Sequence, residues 1–375
     1  MAEYRRPGVY IQEVGSGARP ITGVGTSTAA FLGVAPQADA HLRKPVFVTS
    51  WPGFQRRFQG DGQGSTPLSL AVDGFFQNGG ARLYVVNLGQ DTTTVSADDL
   101  ATLSATEGIS LIAAPGFTDA DSVEAILTDC ETRKDRFAVL DMAEGGAIAD
   151  LARTQDQGGL RPRNVVQGMA AVYAPWIEVR DPETGEMIAC PPSGHICGAY
   201  AGNDSTRGVH HAPANLPLRG ALGLSRLFTD ADQDILAPAC VNAIRQFSDG
   251  IRIWGARTLT GADSEWRYVN IRRLLTLIEL SIQQGTRWAV FEPNDDTLWK
   301  SIRRDVWEFL NMLWRDGALM GSSTQEAFFV RCDATTMTQA DLDAGRLIIE
   351  IGVAPVRPAE FVVIRIMQNT SDSEV

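Results

Sequence analysis

Three short clusters carry side chains able to do chemistry. Gly25-Thr-Ser27-Thr-Ala29 has the small-residue setting of a nucleophilic serine box, and four histidines, His41, His195, His210 and His211, are available as bases. Hydrolases with such a box place the serine after the histidine, at the start of a helix late in the domain. Here Ser27 precedes every histidine and leads into a strand-like run, so a small-residue loop is the expected use. Asn203-Asp204-Ser205 with His210-His211 is the second cluster, and side chains of these types commonly satisfy loop backbone groups. Cys190, His195 and Cys197 form the third. They offer zinc three ligands, but no fourth follows at a compatible spacing. No G-x-x-x-x-G-K-[ST] loop is present, and no G-x-G-x-x-G opens a helix. No catalytic, cofactor-binding or metal residue is assigned, and no cofactor is expected. The glycosylation sequons at Asn203 and Asn369 read as chance matches, because no secretory signal accompanies them.

The totals narrow the function further. A net charge of −12 and a pI near 4.9 oppose nucleic-acid binding by the whole surface. Five cysteines without a C-x-x-C pair indicate neither a disulfide framework nor a zinc ribbon, and fit a reduced compartment. No run of eighteen apolar residues exists, so no membrane span is expected. A length of 375 residues allows two domains or one large one, with an ample core.

The elements that must position these residues read as follows. Gly8 to Val14 alternates like a strand between flexible flanks. Such a strand must add to a sheet in its own chain or a neighbour's. From Ser27 short apolar strands (Ala30–Val34, Val46–Thr49, Leu83–Leu88, Ser110–Ala113, Phe137–Asp141, Ala170–Tyr173) alternate with helices at Leu68–Gln77 and Ser122–Arg133. That alternation argues a largely parallel sheet covered on both faces. Asp181 to Gly185 is a turn at a hairpin tip. Asn203 to Leu224 is expected as an ordered loop, and Asp232 to Phe247 as a helix with Pro238 in its first turn.

The organising stretch is Ile251 to Asp296. A strand at Ile251–Trp254 precedes a helix that Asp263 can cap, with Glu265 in its first turn. Its apolar stripe (Trp266, Val269, Leu274, Leu277, Ile278, flanked by Ile271, Leu275 and Ile282) is wide enough to pack against two surfaces. Gly285 is expected as a C′ glycine, and Thr286–Phe291 as a buried strand. Asn294–Trp314 is amphipathic: Trp299, Ile302, Val306, Phe309, Leu310 and Leu313 line one face, with Lys300, Arg303, Arg304 and Glu308 opposite. Ala327–Val330, Leu347–Val353 and Phe361–Met367 read as strands. The last is almost wholly apolar and needs a cover.

The phrases WGARTL, EWRYVNIRRL, GTRWAVFEPND and LWKSIRRDVWEFLNMLW resemble contractile tail sheath proteins of phages, R-type bacteriocins and extracellular contractile injection systems. So do YRRPGVYIQEV, NDSTRGVHHAPAN, EAFFVRCD and IGVAPVRPAEFVVIRI, and the likeness runs from about Tyr4 to Gln368. It implies an α/β fold: an outer domain with a mostly parallel, subtilisin-like sheet, plus an α+β assembly domain built from the C-terminal part and the N-terminal arm. The implied division is 1–22 (arm), 23–193 (outer domain), 194–368 (inner assembly domain) and 369–375 (flexible tail).

The resemblance also implies a non-enzymatic subunit that polymerises as six-fold helical rings around an inner tube and contracts to drive it through a target envelope. Exchanged strands would be Gly8, Val9, Tyr10, Ile11 and Val14, and Phe361, Val362, Val363, Ile364 and Ile366. Gly15-Ser-Gly17 and Val353–Pro358 would be hinges, and Lys300, Arg303, Arg304 and Arg315 would touch the tube. Implied partners are further copies, the inner tube protein, baseplate and terminal cap proteins, and sister sheath proteins. Neither nucleic acid nor a membrane span is among them. Assembly would take place in the bacterial cytoplasm, in a phage tail or tail-like particle released by lysis. Two alternatives remain: a hydrolase on a subtilisin-like scaffold, and a scaffold or baseplate component that never contracts.

Overall fold

The computed structural model describes residues 19–60, 62–261 and 264–360. Both expected exchange strands, Gly8–Val14 and Phe361–Met367, and the capping candidate Asp263 lie outside the described residues. The chain forms two compact units: a sheet unit (Gly23–Leu280 with Pro355 onward) and a small unit (up to Thr22, with Ser281–Ala354).

The sheet unit contains strands β1 (Thr28–Gly33), β2 (Val46–Val48), β3 (Arg82–Asn87), β4 (Leu111–Ala113), β5 (Phe137–Asp141) and β6 (Ala170–Ala174). They are followed by β7 (Ile177–Arg180), β8 (Met187–Cys190), β9 (Leu216–Pro217), β10 (Ala221–Leu224), β11 (Val241–Phe247) and β12 (Gly250–Ile253). Nine strands make one sheet in the order β2-β3-β1-β4-β5-β6-β11-β12-β9. The six central strands run parallel, and antiparallel strands close both edges. Side chains of β1 alternate between two cores: Ala29 and Phe31 face one, Ala30 and Leu32 the other. That is why the central strands read as unbroken apolar runs rather than alternating ones. The hairpin expected at Asp181–Gly185 joins β7 to β8 in a three-stranded sheet with β10.

The Pro67–Gln77 helix begins at a Thr66 capping box closed by Ser69. Beside it lies the helix Ser193–Arg207, which the sequence pattern does not reveal. Its glycines recur every fourth residue and face the first helix. A Cβ at Gly194 would lie 2.5 Å from the Ala71 Cα, and one at Gly198 would lie 2.4 Å from the Phe75 carbonyl oxygen. Glycine weakens a helix by propensity, and here it permits a backbone approach no larger residue allows. Asn203 to Arg207 therefore belong to a helix, and the expected loop begins only at Gly208.

Two further expectations fail. Asp232–Phe247 is not one helix: Asp230–Leu236 is helical and Val241 onward is β11, with Pro238 in the turn between. Thr286–Phe291 is no buried strand: Arg287–Ala289 is a 3₁₀ turn, and Val290 and Phe291 are exposed. The helix expected from Trp266 starts at Val269, four residues after Glu265. Its stripe is buried on several sides, including Val269, Ile271, Leu274, Ile278 and Ile282. Gly285 ends it without a positive φ, and a Cβ there would meet Ile21 Cγ1 at 2.7 Å. Close packing, not a left-handed cap, requires that glycine.

Helix Ser193–Arg207 and strands β9 to β12 are built into the sheet unit, although the boundary expected at 193/194 places them in the assembly domain. The small unit holds the Asp296–Arg315 helix and strands β13 (Phe328–Arg331) and β14 (Glu350–Val353), paired antiparallel.

Candidate assembly site

The Asp296–Arg315 helix is capped by Asp295, whose carboxylate accepts from Leu298 N at 2.9 Å. Trp299, Ile302, Val306, Phe309 and Leu310 are buried, as their spacing predicts. The basic residues expected at a tube contact share this helix. Lys300 pairs with Asp296 one turn earlier, both well exposed. Arg303 lies 3.9 Å from Asp333, and Arg315 is exposed in the last turn. Arg304 reaches Asp305 at 3.0 Å, and Asp305 is buried on the apolar face. No periodicity marks Asp305 as special, and its second carboxylate oxygen has no hydrogen-bond partner among the described residues.

Strands β13 and β14 make a sheet of two strands. A two-stranded sheet is marginal alone, and among the described residues each strand leaves one edge open to a further strand. Phe329 on β13 is 48 % exposed, and Met320, Met312 and Trp307 are also exposed in this unit. The sequence pattern reveals both strands but not their open edges.

In the sheet unit, Tyr268, Asn270 and Arg273 tie down distant segments, and Arg272 makes local contacts. The Tyr268 hydroxyl donates to Glu360 at 3.1 Å. Asn270 Nδ2 donates to the carbonyls of His210 (2.8 Å) and Val356 (3.2 Å). Arg272 lies over the Trp266 ring and pairs with Glu279 at 3.0 Å. Arg273 donates to both Asp204 oxygens and to the Thr26 carbonyl, and both partners of that ion pair are buried. Arg257 grips Glu360 with two bonds, 2.8 and 2.9 Å. Burial works against the Glu360 charge, but Arg257 outweighs it and holds the carboxyl below its usual range. Arg257 and Glu360 lie 103 residues apart, so nothing local in the sequence signals their pairing.

Several residues of the clusters first weighed for chemistry make structural contacts. Asp204 is taken by Arg273, Ser205 donates to the Gly202 carbonyl at 2.9 Å, and Asn203 donates to the His211 carbonyl at 2.9 Å. Ser27 leads directly into β1. Cys190 and Cys197 are buried thiols. His195 is buried, and burial lowers its pKa to about 4. Asp141, at the end of β5, accepts from Ser193 N and Ser193 Oγ, both at 2.7 Å, and so caps the Ser193–Arg207 helix from a distance. Burial raises the Asp141 carboxyl to about 6 against those bonds. Among the described residues no group of three His, Cys, Asp or Glu side chains could hold a metal, and no helix is long and apolar enough to cross a membrane.

The small unit thus carries a two-stranded sheet whose outer edges are open among the described residues, beside exposed apolar side chains. Two family models match the chain. That of the phage tail sheath protein central domain matches residues 91–259, and that of the phage tail sheath C-terminal domain matches residues 261–369. A chain of the PVC sheath complex, an extracellular contractile injection system in the contracted state, superposes with TM-score 0.82 at 32 % identity, covering 98 % of this chain and 99 % of that one. A chain of the anti-feeding prophage (AFP) baseplate gives 0.81 at 31 %, covering 98 % and 100 %. The putative prophage major tail sheath protein of Pseudomonas aeruginosa is 29 % identical over 257 residues. That match spans 67 % of this chain and 62 % of the relative's own length. The chain belongs to the contractile tail sheath family.

Proposed function

We propose that this chain is a contractile sheath subunit whose small unit is completed by strands from neighbouring copies. The observation that carries this is the β13–β14 pair, two short strands whose outer edges are open among the described residues, in a chain similar over nearly its whole length to a contracted sheath. Gly8–Val14 and Phe361–Ile366 are the strands proposed to fill those edges by β-augmentation. Main-chain bonds then join copies around six-fold rings and from ring to ring. Rigid bodies rotate and move outward on contraction while the strands stay paired, with Gly15–Gly17 and Val353–Pro358 as hinges. New interfaces between the rigid bodies drive the tube forward, without nucleotide and without enzyme chemistry.

The Asp296–Arg315 helix is the proposed tube contact, through Lys300, Arg303, Arg304 and Arg315. Exposed ion pairs are weak and screened, which suits a surface that must release its partner. The sheet unit is read as the outer, subtilisin-like body. Further proposed partners are the baseplate, a terminal cap and sister sheath proteins, in a tail or tail-like particle assembled in the bacterial cytoplasm and released by lysis. Negative-stain electron microscopy of the purified chain tests the reading. Long hollow helical tubes are expected. Small uniform particles that stay small when the inner tube protein is added would count against it.

A further inference from the structure

We infer that a groove on the sheet unit is the resting seat of the chain's own Phe361–Ile366 segment before assembly, and that assembly draws the segment out. This rests on the reading of that segment as the exchanged strand. The groove is a cavity of about 610 Å³ whose lining includes Leu236, Val241, Ala243, Trp254 and Ala256. Pro358, Ala359 and Glu360 form part of its lining too, so the chain runs along it up to the last described residue. The entry point is fixed. Arg257 holds Glu360 through two bonds, Tyr268 adds a third, and Asn270 holds the Val356 carbonyl. The next six residues, Phe-Val-Val-Ile-Arg-Ile, are apolar at five positions.

Chemistry and tethering together select the occupant. The apolar lining matches an apolar strand, and Trp254 remains 41 % exposed, ready to be covered. A segment that starts at the cavity has an effective local concentration of roughly millimolar or above, whereas a second copy's segment arrives at its bulk concentration. A free apolar strand is also an aggregation hazard, which a seat in its own chain removes. The tethered segment therefore holds the groove in a lone subunit. It is displaced only when several inter-subunit contacts form together.

Engineered disulfides test this in the full chain. Trp254→Cys with Val362→Cys is the first pair, and Gln233→Cys with Val362→Cys is a second, in case one variant folds poorly. The native cysteines are buried, so mild oxidation reads the engineered pair. In dilute protein the expected product is a disulfide within one chain, running as a monomer. Glu360→Gln should lower its yield severalfold by loosening the anchor. Oxidised protein should form at least tenfold fewer tubes, with recovery on reduction. Failure of both pairs to close, or closure only between chains, overturns the seat, and tubes from the reduced variants would leave the exchange reading intact. Tubes formed from fully closed chains would overturn the exchange reading and with it the release step, while the closed disulfide would still place the segment in the groove.

Discussion

Strand β1 lies between β3 and β4, and all six of its residues are buried. Strand β13 has β14 as its one strand neighbour among the described residues, and Phe329 on it is half-exposed. The same contrast runs through both units. In the sheet unit short antiparallel strands form the two edges of the parallel sheet, two apolar cores cover its faces, and the buried charge of Arg273 is matched by Asp204. The small unit carries Val290, Phe291, Trp307, Met312, Met320 and Phe329 exposed, six of the fifteen exposed large apolar residues among the described residues, in the smaller of the two units. Exposed apolar side chains beside open strand edges are what the proposed association would cover. On that proposal the sheet unit supplies stability and the small unit supplies connection.

That division can be broken at several points. The largest effect is expected from Gly198→Leu, because even a Cβ there lies 2.4 Å from the Phe75 carbonyl oxygen. The two helices would have to part, and the chain should not yield folded protein by circular dichroism. Next comes Asp204→Ala, which strands the buried Arg273 guanidinium; a loss of about 3–5 kcal/mol in urea unfolding is expected. Asp204 and Arg273 replaced together by apolar residues should cost less than either single change.

The acid response of the sheet unit comes third. His195 is held neutral with a pKa near 4, below its unfolded value near 6.5. Its contribution is present above the unfolded value and is lost as pH falls through the folded one. Between pH 7 and 4.5 the advantage of the wild type over His195→Gln should shrink by roughly 2–3 kcal/mol. Asp141 runs the other way: raised to about 6, it contributes most below its unfolded value near 3.8 and loses that contribution as pH rises through 6. The two offset each other between pH 4 and 6, so comparison with the variant is what isolates His195. The smallest effect on the folded monomer should come from Phe329→Asp, within about 1 kcal/mol, because the side chain is half-exposed. The same change should abolish tubes. A large monomer destabilisation with tubes retained would reverse the roles assigned to the two units.

Legibility in the sequence follows the physics of each segment. Strand β5 is readable to the residue, since Phe137–Leu140 is a short apolar run flanked by charged residues. The Asp296–Arg315 helix is readable because six apolar residues keep a 3.6 period. The Ser193–Arg207 helix is not, because Gly194, Gly198 and Gly202 lower its propensity, and the tight packing that justifies them comes from a segment more than a hundred residues earlier. Strand β11 reads as helix in the sequence since a short apolar run fits both periods. Val290 and Phe291 look like core residues because an exposed apolar run has the same composition as a buried one. Of the candidate site, the basic helix face is legible. The Arg257–Glu360 grip is not, because it exists only in three dimensions.

The most direct measurement of the central claim is the deletion of residues 1–17 from the chain, followed by thermal unfolding and negative-stain imaging of the same sample. The account predicts an unfolding midpoint within a few degrees of the full chain and no tubes, because the sheet unit stands by itself and the neighbour's strand is gone. Tubes that persist at normal length would contradict it.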